Sequence, residues 1–186
     1  SSAASDVYKR QVKSVCGDYP AVISFDLGHI ELGDTMSLDK VPFTKIRKEI
    51  LNQYKRGGMS SLSWHLRNPL TGGDSWDVSD TTVVKSILPG GANHEKFTGW
   101  VSKVSAFINS LQTEEGVKVP VLFRPWHEHT GSWFWWGEKL CTPEEYKALW
   151  HMTVDILRND GVDNALYAYS PGSEPQDTAQ SVSYTH

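Results

Sequence analysis

The feature that most constrains the fold is a unit that recurs along the chain: a short run of strand-forming residues, a polar connection, then a segment of helical period. The runs are AVISFDLG (21–28), MSSLSWHL (59–66), VPVLFRPW (119–126) and NALYAYSP (164–171). Between the first two, PFTKIRKEILNQYKRGG (42–58) reads as a helix, with Phe43, Ile46, Ile50 and Tyr54 on one face. Pro42 suits its first turn, and Gly57-Gly58 stops it. EKFTGWVSKVSAFINSL (95–111) carries Phe97, Val101, Val104, Ile108 and Leu111 on a stripe. A third helix is announced by Thr142 as cap, Pro143 at the first position and Glu145 completing a capping box, with Tyr146, Leu149, Thr153 and Ile156 inward.

Alternating strands and helices imply parallel strands with helical crossovers. An open doubly wound sheet and a (β/α)8 barrel both fit. No Gly-rich phosphate loop follows any strand, which argues against a nucleotide-binding sheet. The chemically rich residues, Trp64-His65, Arg124 to Glu128 and Tyr169-Ser170-Pro171, all follow strand ends. That is the distribution of a barrel whose site lies at its carboxyl face. The long connection 67–95 leaves the same face and reads as a functional loop.

Charge and composition exclude several partners. A formal net charge of -4, with no basic run among the aromatics, gives no footing for nucleic acid or an anionic membrane. No apolar stretch approaches the roughly 20 residues of a membrane span. Cys16 and Cys141 make no disulfide framework and lack metal-site spacing. No metal or other cofactor is expected.

One segment concentrates the chemistry. RPWHEHTGSWFWWG (124–137) holds an arginine, two histidines around a glutamate, and four of the eight tryptophans. A carboxylic acid beside aromatic rings is poorly solvated when charged, which suits a general acid near neutral pH. Indole faces stack on the apolar C–H faces of sugars, while Arg124, His127 and His65 can hydrogen-bond hydroxyls. The combination is equipment for breaking glycosidic bonds, with Glu128 protonating the leaving oxygen. A tryptophan-rich segment can equally be core. Four aromatics in a row, bracketed by Gly131 and Gly137, cannot share one side of a strand or helix, so a partly exposed loop is expected. His-Glu-His lacks the HExxH spacing of a zinc helix, and adjacent residues on a strand point to opposite sides.

SWHLRNPLTGGDSWD and VPVLFRPWHEHTGSWFWWG closely resemble the signatures of glycoside hydrolase family 26, the β-mannanase family among the retaining clan A barrels. GDYPAVISFDLGHIELG and LCTPEEYKALWHMTVDILRNDGVDNALYAYSPG continue the resemblance, which runs from about residue 13 to 172. It implies a partial (β/α)8 barrel, strands two to five of eight, from an enzyme hydrolysing internal β-1,4-mannosidic bonds in mannan or galactomannan with retention. It further implies Glu128 as the acid/base, His127 as a substrate-contacting residue, Arg124 and His65 as strand-end site residues, and Trp133 as the aromatic lining the cleaved sugar's subsite. Trp136 is expected to extend that platform.

Such an enzyme needs a second carboxylate as nucleophile, which in this family is a glutamate ending the seventh strand. Glu174 fits no such pattern, so the chain is expected to lack the nucleophile and to be inactive alone. Residues 12–180 are expected to be the incomplete catalytic barrel, and 1–11 and 181–186 not to be family sequence. An enzyme attacking an insoluble plant polymer is expected to be secreted or periplasmic. Two other functions compete: a non-catalytic carbohydrate-binding module using Trp133 and Trp136, and a related β-glucanase or β-1,3-xylanase.

Overall fold

Four parallel strands carry the architecture in the computed structural model, which describes residues 22–169. They are β1 (Val22–Asp26), β2 (Met59–Ser63), β3 (Val121–Arg124) and β4 (Ala165–Tyr167). Their order in the sheet is their order in the chain. Helix α1 (Phe43–Lys55) joins the first two. A short α2 (Val83–Ile87) and the longer α3 (His94–Asn109) lie between β2 and β3, and α4 (Pro143–Asn159) precedes β4. Right-handed crossovers that always step the same way stack their helices on one face of the sheet. A doubly wound sheet would reverse direction part-way. The order therefore selects a partial (β/α)8 barrel, with four of the eight strands among the described residues. The expected termini at 1–11 and 181–186, and Ser170, Pro171, Glu174 and Cys16, lie outside the described residues.

Register fixes which side chains face where, because Cα partners across parallel strands share a face. Phe25, Leu62, Phe123 and Tyr167 form one row, and the last three are almost fully buried under the helices. Residues one step along point the other way, toward the barrel axis. They form the rows Ser24–Ser61–Leu122–Leu166 and, at the carboxyl end, Asp26–Ser63–Arg124. Asp26 and Arg124 thus reach the mouth through strand pairing alone.

The helices bury the faces their periodicity marks. Phe97, Val101, Val104, Ile108 and Leu111 are all fully buried. At α4 the capping box forms as expected: Thr142 Oγ1 accepts from the Glu145 amide at 3.0 Å, and Glu145 Oε1 accepts from the Thr142 amide at 2.8 Å. Such caps contribute about 1 kcal/mol. Helix α2 is not predicted from the sequence; five residues are too few to show a period, yet Val83, Val84 and Ile87 are fully buried.

A second device ties the β1 and β2 exits together. Glu31, in the 3-10 turn Ile30–Leu32, is 1% exposed. Its Oε1 accepts from Trp64 Nε1 at 3.0 Å and from the His29 amide at 2.9 Å, and its Oε2 accepts from the Arg67 amide at 3.0 Å. Burial raises its pKa despite these donors. The carboxylate grips both sides of His65 and so fixes where that histidine leaves the sheet.

Candidate active site

The segment after β3 turns sharply because non-glycine residues accept left-handed backbone conformations. Trp126 has φ 57°, Glu128 55° and Ser132 57°. Each costs on the order of 1–2 kcal/mol, and such strain persists only where surrounding packing holds it. The turns send Trp126 into the core and Glu128 to the surface.

Most of the aromatic cluster is interior. Trp126 lies 5.9 Å from Trp64, 5.8 Å from Phe97, and 5.5 Å from both Trp135 and Trp136 by ring centroids. Every buried indole in the segment finds an acceptor: Trp126 Nε1 donates to Thr153 Oγ1, Trp135 Nε1 to the Leu66 carbonyl and Trp136 Nε1 to the His127 carbonyl. The role expected for Trp136 as a sugar platform is therefore corrected. It is fully buried, stacked under Phe134 at 4.6 Å, and acts as the floor that holds His127 from below. Trp133 alone of the run is open, at 42% exposure. A second exposed indole, missed from the sequence, comes from the long loop: Trp76 is 59% exposed and sits 4.8 Å from Phe134. The quoted GGDSWD contained it, but nothing in its spacing marked which side it would take.

Glu128 is exposed, which corrects the expectation of a dry carboxyl. Four strands build one wall of the mouth, and nothing among the described residues stands opposite. The carboxylate is nonetheless positioned: Trp133 Nε1 donates to Glu128 Oε2 at 2.9 Å. Trp133 in turn lies flat over Gly131, where an added Cβ would come within 2.0 Å of its ring. Gly131→Ala should therefore displace the indole and break its bond to Glu128. Trp133 fluorescence in a background lacking Trp76 should shift, with little loss of thermal stability, because half-buried Gly131 lies outside the core.

Behind Glu128 runs a chain of hydrogen bonds. Asp26 Oδ1 accepts from the Gly28 amide at 2.7 Å and the His65 amide at 3.1 Å; Oδ2 accepts from Ser63 Oγ at 2.7 Å and pairs with His65 Nδ1. His65 Nε2 meets His127 Nε2 at 3.0 Å. Both ring nitrogens of His65 are thus engaged by protein, which corrects its expected role as a hydroxyl donor; it links Asp26 to His127. Asp26 was missed because a lone Asp ending a strand gives no sequence signal. His127 is buried against Phe134 and Trp136, and Arg124 is half-buried at the end of β3.

Burial opposes the charge on Asp26, but its bonds from His65, Ser63 and Gly28 prevail and its pKa is lowered. Burial also opposes charge on His65, yet the Asp26 carboxylate raises its pKa. His127 is pulled down to about 4, first by burial and then by the charge on His65. The sign of the linkage follows. Asp26, depressed, stabilises the fold above the ordinary carboxyl value of 3.8 and less as pH falls through its lowered one. His65, raised, stabilises it fully below 6.5 and less as pH climbs through its raised value. The stability gap between wild type and Asp26→Asn should be widest between these two ordinary values, at about 1.5–3 kcal/mol for charged hydrogen bonds. It should shrink by pH 9, as urea unfolding at each pH would show.

His129 faces away from this chain, stacked on Tyr146 at 3.5 Å with Nδ1 donating to the Trp136 carbonyl. Among the described residues no group of His, Cys, Asp and Glu could hold a metal ion, and no helix is long and apolar enough to cross a membrane. The Cys141 thiol is pushed up to about 12 by burial, which makes it a poor nucleophile.

Comparison with known proteins agrees with this geometry. A family model described as Glycosyl hydrolase family 26 matches residues 2–184. A mannan endo-1,4-beta-mannosidase of Bifidobacterium adolescentis is 38% identical over 178 residues, covering 92% of this chain and 17% of that protein. One from Bacillus subtilis is 27% identical over 173 residues, covering 87% and 46%. Among solved structures, a GH26 beta-mannanase from Bacteroides ovatus superposes with a TM-score of 0.83 at 60% identity, covering 95% of this chain and 52% of that one. The catalytic domain of a Bacillus sp. GH26 endo-beta-1,4-mannanase gives 0.73 at 39% identity, covering 87% and 42%. The chain thus spans about half, or less, of the length of these relatives.

Proposed function

Given that this chain belongs to glycosyl hydrolase family 26, we propose that it carries the acid/base half of a retaining endo-β-1,4-mannanase site acting on β-mannan or galactomannan. The observation that supports this most is the Glu128 carboxylate, set at the carboxyl end of β3 and held by the indole N–H of an exposed tryptophan. Oε2 accepts that N–H, which leaves Oε1 as the oxygen that passes the proton. Glu128 gives it to the leaving glycosidic oxygen, then takes one from the attacking water. Trp133 supplies a flat apolar face for the sugar, and Trp76 with Phe134 extends the aromatic surface. Arg124 lies in the same cross-strand row as Asp26 and orients hydroxyls.

Retention requires a second carboxylate about 5–5.5 Å from the first. Asp26 is spent on four donors, so the nucleophile comes from outside the described residues. The chain alone should bind mannan without cutting it. An enzyme working on so large a polymer acts outside the cytoplasm, secreted or periplasmic. The test is a reducing-end assay on galactomannan with this chain and with a longer enzyme containing it, alongside gel retardation in mannan. The reading expects retardation by both and turnover by the longer form only. Retardation by both with turnover by neither would instead identify a binding module, and turnover confined to β-glucan or β-1,3-xylan would replace the substrate.

A further inference from the structure

Asp26, His65 and His127 form a line of hydrogen bonds that the acid/base reading does not by itself require. The Asp26 carboxylate accepts from two backbone amides and the Ser63 hydroxyl, which hold it ionised, so the hydrogen between it and His65 sits on Nδ1. Between His65 Nε2 and His127 Nε2, 3.0 Å apart, one hydrogen must lie. Two arrangements are open. If His65 holds both its protons, His127 Nε2 accepts and the His127 proton is on Nδ1. If His65 holds only the Nδ1 proton, His127 must donate from Nε2, which leaves a bare, basic nitrogen at Nδ1.

We infer that Asp26 is a positioning residue that keeps His65 doubly protonated and thereby fixes His127 with its proton on Nδ1 and its Nε2 lone pair occupied. The consequence for Glu128 is direct. Its neighbour in the chain then has no free nitrogen base, so His127 does not compete with the leaving oxygen for a proton during transfer from Glu128. His127 Nδ1 is buried without a partner among the described residues, so no other contact dictates where its proton sits. That leaves the bond to His65 as the deciding one. The packing is consistent with a fixed ring: His127 is edge-on to His65 at 4.5 Å and bounded by Phe134 and Trp136.

The charges facing this pair come from every side of the mouth. His65 sees Asp26 at the end of β1, Asp39 before α1 and Glu128 after β3. His127 sees Arg124 on β3, Glu128, Asp26 and the charge of His65. Asp26 and Asp39 favour the cation on His65, and of the carboxylates only Asp26 touches it.

The consequence for Glu128 rests on the acid/base reading, but the proton placement does not, so the two can fail separately. The chain labelled with nitrogen-15 at its histidines is titrated by NMR, and each ring nitrogen is read as bare or protonated. In the wild type at pH 6, His65 should show both nitrogens protonated, and His127 should show Nδ1 protonated and Nε2 bare. Asp26→Asn should lower the affinity of His65 for its second proton by about tenfold or more. Ser63→Ala, which removes a neutral donor to the same carboxylate, should leave His65 doubly protonated. His129, stacked on Tyr146, reports whether each variant keeps its fold. If Asp26→Asn does not fold, the wild-type spectrum still decides. A wild-type His127 protonated on Nε2, or an unchanged His65 titration in a folded Asp26→Asn chain, would overturn the inference.

Discussion

Glu128→Gln, introduced into a longer enzyme containing this chain, should lower turnover on mannan by about 10²–10⁴ while leaving retardation in a mannan gel intact. The amide is isosteric, and it can still accept from Trp133 Nε1, the bond that holds the native side chain at 2.9 Å. What it lacks is a transferable proton. An unactivated sugar is a poor leaving group, so departure without protonation is slow, and the loss should fall on kcat. Reducing-end assays at saturating galactomannan would measure it. Unchanged turnover would remove Glu128 from the mechanism altogether.

The largest effect on stability is expected at Trp126. Its ring is fully buried and meets Trp64, Phe97, Trp135 and Trp136 at centroid distances of 5.5–5.9 Å. It also binds α4 twice: Trp126 Nε1 donates to Thr153 Oγ1 at 3.1 Å, and its carbonyl accepts from Tyr146 Oη at 2.6 Å. Trp126→Ala should cost about 3–5 kcal/mol from the cavity and lost contacts. The left-handed backbone at this residue adds a second consequence. Without the packing that holds it, the turn that aims Glu128 should relax, and activity should fall further than the remaining folded fraction explains. Urea unfolding, alongside turnover per folded molecule in the longer enzyme, would separate the two losses. Trp126→Phe, which keeps much of the ring, should recover most of the stability.

The helices and strands were legible because their burial is periodic. Phe43, Ile46 and Ile50 on α1, and the stripe on α3, point where a 3.6-residue repeat puts them. The capping box at Thr142 was legible because its chemistry is local. The site was legible at Glu128 and Trp133, which lie five residues apart in one segment. It was not legible where the partners are distant in sequence. Asp26 meets His65 across 39 residues, Glu31 meets Trp64 across 33, and Trp135 donates to Leu66 across 69. Only strand register and loop closure bring such pairs together. The run Trp133-Phe134-Trp135-Trp136 misled for a related reason. Side chains in an irregular loop obey no period, and whether an indole is platform or core depends on acceptors such as the Leu66 and His127 carbonyls.

The division of labour between Glu128 and the rest of the mouth can be read from the leaving group. In the longer enzyme, Glu128→Ala is compared with wild type on mannan and on an aryl β-mannoside whose phenol departs without protonation. The account expects mannan hydrolysis to collapse while the aryl substrate still forms its glycosyl-enzyme in a rapid burst. Equal loss on both substrates would contradict a proton-donating role for Glu128, as would no loss on either.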